Sequence, residues 1–151
     1  MRDRILVTGQ MLLLALLVVV PWVTDAGGFD APALRALGYG LLVAGGLVVL
    51  VAGLHLGDAL TAMPTPRSGA ELRTGGLYAV VRHPIYTGVL AIGWGLGLRS
   101  QLWAGVGLAA ALTLLLHYKA RYEESLLSER HEGYADYVAQ TPRFVPRLRR
   151  R

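Results

Sequence analysis

Two short blocks of polar residues carry the side chains that could do chemistry in this chain. The first block contains Arg82, His83 and Pro84, followed by Tyr86. Proline suits the first turn of a helix, because it lacks an N–H that would be unpaired there, and the amides that follow can bind an anion. This block therefore predicts an anion site at a helix start, beside Arg82 and His83. The blander and commoner interpretation is that Arg82 reaches a lipid phosphate and His83 caps the helix.

The second block extends from Lys119 to Arg130 and contains two adjacent carboxylates, Glu123 and Glu124. Lys119, Glu123 and Leu127 recur at helical spacing, so they share one face of a helix. Taken alone, this pattern is typical of a solvated helix with an i, i+4 ion pair. The chain contains no cysteine and no ligand spacing of the HExxH kind, so no metal is expected.

The rest of the chain is apolar enough to position these blocks from within a membrane. Of the 151 residues, 54% are apolar and 17% are charged, and the charges leave four long uncharged stretches. Soluble domains carry roughly a quarter charged residues, which excludes a soluble enzyme, a soluble nucleic-acid-binding protein and a disordered chain. The sequence predicts one all-α membrane domain, residues 1–151, with transmembrane helices over 5–23, 37–57, 84–98 and 102–118.

The third and fourth predicted helices are short, and only Arg99, Ser100 and Gln101 separate them. This spacing predicts a tight helical hairpin. Either Arg99 reaches outward to the membrane surface, or the third helix begins in a recess lined by protein. The hairpin returns the chain to the side on which the third helix starts, so His83 and Glu123 are expected to become neighbours.

Lys and Arg residues are distributed unequally between the two sides of this four-helix arrangement. Thirteen of the fifteen lie in the N-terminal tail, the loop between the second and third helices, and the segment 119–151. The positive-inside rule therefore places both termini in the cytoplasm, in a multi-pass protein expected in a prokaryotic inner membrane. Contact with anionic lipids explains the positive charge without any nucleic acid. A cleaved signal peptide is the alternative for the first segment, although its apolar run is longer than usual.

Small and polar residues within the predicted helices have structural interpretations. Gly53 and Gly57, and likewise Gly93 and Gly97, lie four residues apart, which predicts close helix packing. Three polar residues near the inner helix ends are expected to lie at the membrane interface rather than to bind an acceptor: His55, Asp58 and His117.

Four motifs follow one another in the second half of the chain. They are RHPIYTG at 82–88, EESLL at 123–127, the pair Tyr134 and Tyr137, and TPRFVP at 141–146. In this order and spacing they resemble the isoprenylcysteine carboxyl methyltransferase family and its phospholipid methyltransferase relatives. The resemblance implies an integral membrane enzyme that transfers a methyl group from S-adenosylmethionine to a lipophilic acceptor. It also implies a cytoplasm-facing cofactor pocket that is capped by the C-terminal tail.

The resemblance further implies roles for individual residues. Glu123 would bind the cofactor from the helix opposite. We hypothesise that it binds the amino group or ribose hydroxyls, while Arg82 and the helix start from His83 to Tyr86 hold the carboxylate. Lys119 stands where the family has a basic substrate-contacting residue, usually arginine, which leaves the acceptor open. For an amine or hydroxyl acceptor, His83 or Glu124 is the candidate base. The cofactor contacts implied are Tyr78, His83, Pro84, Ile85, Tyr86 and Glu123, with the poorly matching segment Glu71, Leu72 and Arg73.

Two other functions are consistent with the same residues. A membrane reductase of the sterol or steroid type has a similar HPxY segment and would bind NADPH instead of S-adenosylmethionine. A non-enzymatic membrane scaffold would bind neither cofactor and would associate with partner proteins. The acceptor of a methyltransferase also stays open among a prenylated cysteine carboxylate, a phospholipid amine, a fatty acid and an isoprenoid. The oligomeric state is not predicted.

Overall fold

The computed structural model describes residues 1–25, 27–57, 61, 63, 65 and 72–147. Within this part of the chain the elements are helical, and only one isolated β-bridge, between Gly28 and Leu102, is present. The all-α prediction is therefore confirmed for the described residues. The helices are α1 (Arg2–Val23), α2 (Pro32–Leu56), a 3₁₀ helix (Gly76–Ala79), α3 (Pro84–Ser100), α4 (Trp103–Arg130) and α5 (Tyr134–Gln140).

Two of these helices, α1 and α2, are long and apolar enough to cross a membrane. Helix α3 has 17 residues and begins at Pro84, as the proline predicted. Helix α4 has 28 residues, so the predicted fourth span and the polar block that follows it form one continuous helix. This continuity carries Glu123 and Glu124 on a rigid extension beyond the apolar part of α4.

Glycine allows α2 and α3 to pack backbone against backbone. A Cβ atom on Gly45 would lie 2.6 Å from the Gly88 carbonyl oxygen, and one on Gly38 would lie 2.8 Å from the Gly95 carbonyl oxygen. Such distances exclude any side chain at these positions. The interface thus fixes the start of α3 against α2.

The predicted glycine pairs differ in their outcome. Gly97 packs against Gly105 of α4, and Gly93 lies against Leu112, so close packing at this pair is confirmed. Gly57 instead ends α2 with φ +52°, and a Cβ atom built on it would have no described neighbour within 4 Å. The packing predicted for Gly57 is therefore not found among the described residues, and its role there is to end the helix.

The hairpin between α3 and α4 has the predicted short turn. Gln101 adopts the left-handed conformation, with φ 57°, and Trp103 begins the next helix. The Gln101 side-chain oxygen accepts a hydrogen bond from the Ala31 N–H at 2.7 Å, and its carbonyl accepts one from the Phe29 N–H at 2.8 Å. The turn and the α1–α2 connection therefore lie together at one end of the bundle.

At the opposite end, the C-terminal tail folds back over the start of α3. The N–H groups of Arg82 and His83 donate to the carbonyl oxygens of Pro142 and Arg143, at 2.8 and 3.1 Å. The Thr87 hydroxyl donates to the Phe144 carbonyl oxygen at 2.9 Å. These bonds fix the tail beside the RHPIYTG motif, and the site is built there.

Candidate functional site

Glu123 lies at the centre of the first of two polar clusters. The Tyr86 hydroxyl donates to Glu123 Oε2 at 2.7 Å, and His83 Nδ1 lies 3.8 Å from the same oxygen. The rings of His83 and Tyr86 are stacked, with centroids 5.2 Å apart. The start of α3 and the extension of α4 are thus brought together, as the short hairpin predicted.

Glu124, the next residue, forms a separate ion-pair cluster. Its two carboxylate oxygens accept hydrogen bonds from Arg143 Nε and Nη2, at 2.9 and 2.6 Å. Arg82 Nη2 lies 3.0 Å and His83 Nε2 lies 3.1 Å from Oε1. His83 therefore contacts both carboxylates, one through each ring nitrogen.

The two neighbouring carboxyl groups have opposite pKa shifts. Burial raises the pKa of Glu123, although nearby His83, the Tyr86 hydroxyl and Lys119 oppose this effect. Burial would also raise the pKa of Glu124, but hydrogen bonds from His83 and Arg143 and the charge of Arg82 hold it well below its usual range. Glu124 is thus a stable anion, while the charge on Glu123 is poorly compensated.

Arg82 binds the C-terminal tail as well as Glu124. Its Nη1 donates to the carbonyl oxygens of Val138, at 3.1 Å, and of Thr141. The tail is held a second time where the Tyr137 hydroxyl donates to the Tyr78 carbonyl oxygen at 2.6 Å, and burial raises the Tyr137 pKa to about 12. In this structure Arg82 fastens the tail, so its predicted contact with a cofactor carboxylate stays a prediction.

Tyr134 is buried beside both clusters and its hydroxyl has no hydrogen-bond partner among the described residues. The residue is 2% exposed. Burial and the charges of Glu124 and Glu123 raise the pKa of this phenol, while Arg82 lowers it. A buried hydroxyl without a partner is uncommon, because leaving its hydrogen bond unmade is costly. The described part of the chain therefore leaves the Tyr134 hydroxyl as an unpaired polar atom beside the two clusters.

Lys119 is a further polar residue at this end, and it is 1% exposed. Its ammonium donates to the Gln10 side-chain oxygen at 2.8 Å and lies 5.1 Å from the centroid of the Tyr86 ring. Tyr86 thus contacts both Lys119 and Glu123, the two residues that helical spacing placed on one face of α4. The role of Lys119 in binding substrate stays a prediction.

The remaining predicted residues differ in burial. Tyr78 and Pro84 are buried, Ile85 and Leu72 are half-buried, and Arg73 is exposed. Two residues with predicted positions, Glu71 of the cofactor segment and Asp58 at the membrane interface, lie outside the described residues.

The contact of Gln10 with Lys119 was not predicted. Arg143 and Tyr134 were named only as members of the tail motifs, without a predicted contact to the clusters. Arg143 could have been found from its place in the TPRFVP motif. Gln10 could not, because a single glutamine in an apolar segment carries no signal in the sequence. Within the described residues, no three His, Asp or Glu side chains are grouped to hold a metal ion.

The fold and the site define a small all-helical chain with an apolar bundle and a polar cluster under a tail. Comparison with known families gives its class: the profile of the phospholipid methyltransferase family matches residues 33–133, about two thirds of the chain. The chain belongs to this family, which confirms the resemblance seen in its motifs. Membership supports a membrane methyltransferase in general terms.

Two curated relatives are similar over part of their length. The nickel-cobalt-cadmium resistance protein NccN of Alcaligenes xylosoxydans xylosoxydans is 34% identical over 86 residues, which cover 54% of this chain and 39% of NccN. The cobalt-zinc-cadmium resistance protein CzcN of Cupriavidus metallidurans is 37% identical over 86 residues, which cover 54% of this chain and 38% of CzcN. The matched region thus spans well under half the length of these relatives.

Proposed function

We propose that this chain is an integral membrane methyltransferase that uses S-adenosylmethionine to methylate a lipophilic acceptor. The observation that carries the proposal is the Glu123 carboxylate, which meets Tyr86 and His83 at the start of α3 in a member of a methyltransferase family. The proposal places four helices across the membrane, α1, α2, α3 and the first part of α4.

The surface of the bundle supports this membrane arrangement. Trp22, Tyr39 and Trp103 are exposed, and they belong to helix ends near the Gln101 turn, where aromatic rings favour a membrane interface. The polar clusters and most of the described basic residues lie at the opposite end. We therefore assign that end, with both termini, to the cytoplasmic side of a prokaryotic inner membrane.

The residues present fit the proposed cofactor. Glu123 Oε2 takes the contacts from Tyr86 and His83, and Oε1 accepts no hydrogen bond from the described part of the chain. The Glu123 side chain also keeps 26% of its surface exposed. Together with the unpartnered Tyr134 hydroxyl, this oxygen suits a ligand that is cationic and carries hydroxyl groups. S-adenosylmethionine has both features, and when bound it supplies an electrophilic methyl group.

The chain's own residues then have distinct tasks. Glu123 binds the cofactor's amino group or ribose hydroxyls, since a neighbouring cation would relieve the cost of its buried charge. The Tyr86 hydroxyl orients the Glu123 carboxylate, and the His83 ring supports Tyr86 by stacking. Arg82 and Glu124 fasten the tail and thereby exclude water from the transfer.

The nature of the acceptor decides whether a base is needed. A carboxylate acceptor attacks the methyl group without losing a proton, so it requires none. An amine or hydroxyl acceptor requires one, and His83 is then the better candidate, because the lowered pKa of Glu124 makes that carboxylate a weak base. Lys119, beside Gln10 and Tyr86, is the proposed contact for a polar group of the acceptor.

Calorimetric titration of the detergent-purified chain with S-adenosylhomocysteine tests the proposal. We expect saturable binding by the wild type and a loss of about tenfold or more in affinity for the Glu123→Gln variant, which lacks the charge that binds the cofactor. The Glu129→Gln variant, altered on the exposed end of the same helix, is the matched control and should bind like the wild type.

The other outcomes contradict the proposal in identifiable ways. Equal affinity of the Glu123→Gln variant and the wild type would remove Glu123 from the cofactor site. Binding of NADPH in place of S-adenosylhomocysteine would indicate a reductase. Binding of neither ligand by a folded wild type would favour a membrane scaffold.

A further inference from the structure

An open groove of about 400 Å³ lies between the start of α1 and the middle of α4. None of its lining residues contacts Glu123 or Glu124 directly, and none is assigned above to the cofactor. Its lining is basic and aromatic above an apolar wall, and consists of Arg2, Leu114, His117, Tyr118, Arg121 and Tyr122.

We propose that this groove binds the phosphate group of an anionic membrane lipid. The proposal rests on the membrane arrangement proposed above and does not depend on methyl transfer. It assigns to the groove a ligand that carries a phosphate diester at its polar end and acyl chains at the other.

The charge in the groove favours an anion. Of the described residues that line it, two carry guanidinium groups and one carries an imidazole, and none carries a carboxylate. Among the described residues, neither Arg2 nor Arg121 forms an ion pair with Asp or Glu. A guanidinium presents several N–H donors in one plane, which matches the oxygens of a phosphate group.

Arg2 is held in place by neutral aromatic partners. Its Nη2 donates to the Tyr118 hydroxyl at 2.6 Å, and its guanidinium carbon lies 4.8 Å from the centroid of the Tyr122 ring. These contacts orient the side chain without neutralising its charge. The groove is therefore prepared for an anion before any ligand arrives.

The position of the groove favours a lipid over a free anion. Leu114 is 74% exposed and lies one helical turn before Tyr118, toward the middle of the proposed bilayer. An acyl chain can lie against this apolar wall while the phosphate lies between Arg2 and Arg121. Tyr118 and Tyr122 mark the level at which aromatic side chains meet the membrane surface.

The groove also shares a wall with the tail. His117 Nε2 lies 3.4 Å from Arg143 Nη1, and the His117 ring lies 6.3 Å from the Phe144 ring. Arg143 in turn binds Glu124. A lipid phosphate in the groove would thus lie next to the segment that covers the proposed cofactor site.

Native mass spectrometry of the purified full chain, titrated with dioleoylphosphatidylglycerol, tests the proposal. Dioleoylphosphatidylcholine and inorganic phosphate are titrated in parallel. We expect saturable binding of phosphatidylglycerol, weaker binding of phosphatidylcholine and little effect of inorganic phosphate. In an Arg2→Gln, Arg121→Gln double variant, the affinity for phosphatidylglycerol should fall about tenfold or more, because two charged contacts are lost.

The matched control is an Arg4→Gln, Arg130→Gln double variant. It removes the same charge from the same two helices but outside the groove. We expect it to bind phosphatidylglycerol nearly as the wild type does. Because the Arg121 side chain is exposed, the single Arg121→Gln variant provides a second test that does not disturb packing, with a smaller loss of affinity.

Three results would overturn the proposal. An equal loss in both double variants would mean that general surface charge binds the lipid. Equal affinity for phosphatidylglycerol and phosphatidylcholine, insensitive to the variants, would mean that no anion site exists. Binding of inorganic phosphate that excludes the lipid would assign the groove to a soluble anion. Titration of the same preparations with S-adenosylhomocysteine reports separately on the proposed methyltransferase function.

Discussion

At the scale of single residues, the adjacent carboxylates Glu123 and Glu124 have different surroundings. Successive residues on a helix point about 100° apart, so one turns toward Tyr86 and the other toward Arg82 and Arg143. Hydrogen bonds and ion pairs from His83, Arg82 and Arg143 stabilise the negative charge of Glu124, so this carboxylate is a fixed anion that holds the tail. The charge of Glu123 is stabilised less, so in the proposed function this carboxylate is available to a ligand. The same residue type thus serves structure at one position and proposed binding at the next.

The ion pairs of Glu124 predict how stability depends on pH. Because its folded pKa lies below the ordinary glutamate value of about 4.3, the stabilisation is fully present above that value and is lost as the pH falls toward the folded pKa. At neutral pH the Glu124→Gln variant should lose about 2 kcal/mol. This is less than is typical of fully buried pairs, because Arg143 is 26% exposed.

Denaturant unfolding of wild type and variant in detergent, followed between neutral and acidic pH, measures this effect. The difference between the two proteins should shrink as the pH falls below about 4. A difference that is constant across this range would show that the charge of Glu124 is not what stabilises the tail. The Glu129→Gln variant should match the wild type throughout, since that residue is exposed.

The residues of the site were predictable to different degrees. His83 and Glu123 were predicted together because a short turn between two helices leaves little freedom in where the chain returns. The Lys119 contact with Gln10 was not predictable, because the two residues are far apart in the chain and depend on how α1 docks on α4. Tyr134 was visible only as part of a motif, since burial of its hydroxyl depends on the fold of the tail.

At the scale of elements, the uncharged stretches predicted that the helices exist more accurately than they predicted where each helix begins and ends. Helix α2 begins at Pro32, before Arg35, because a charged residue in the first turn of a helix can still reach solvent. The uncharged stretch that follows Arg35 therefore corresponds to the apolar central part of α2 and does not include its start. The 3₁₀ helix Gly76–Ala79 was not predicted, since its four residues carry no apolar periodicity.

The α2–α3 contact predicts a sharp difference between two neighbouring glycines. A Cβ atom on Gly45 would meet the Gly88 carbonyl oxygen at 2.6 Å and the Ile92 nitrogen at 2.9 Å, whereas one on Gly46 would have no described neighbour within 4 Å. The Gly45→Val variant should therefore lose about 3 kcal/mol or more through overpacking. The Gly46→Val variant shares the change in helix propensity but not the clash.

Thermal unfolding of both variants in detergent, followed by tryptophan fluorescence, measures the difference. We expect the midpoint of the Gly45→Val variant to fall well below that of the Gly46→Val variant, which should stay near the wild type. Equal midpoints would show that α2 and α3 do not pack in the arrangement described.

At the scale of the whole molecule, the chain has two ends with different chemistry. At one end, backbone hydrogen bonds link the Gln101 turn to the α1–α2 connection. The ion pairs, the C-terminal tail and the groove that contains Arg2 and Arg121 lie at the other end. Between them, α1 and α2 present exposed leucine and valine side chains. In the proposed membrane arrangement, this apolar surface gives the proposed lipophilic acceptor a path to the polar end that avoids water.

Because the chain contains no cysteine, a single introduced cysteine can report on which side of the membrane each end of the bundle lies. Asp30 is exposed next to the Gln101 turn, and Ser128 is exposed near the end of α4. If the bundle crosses the membrane as proposed, these positions face opposite compartments. A membrane-impermeant maleimide should then label the Asp30→Cys variant in intact cells, and the Ser128→Cys variant only after the cells are made permeable. Labelling of both variants in intact cells would contradict the cytoplasmic position of the site. Labelling of neither before permeabilisation would contradict the crossing itself, since both side chains are exposed in the structure.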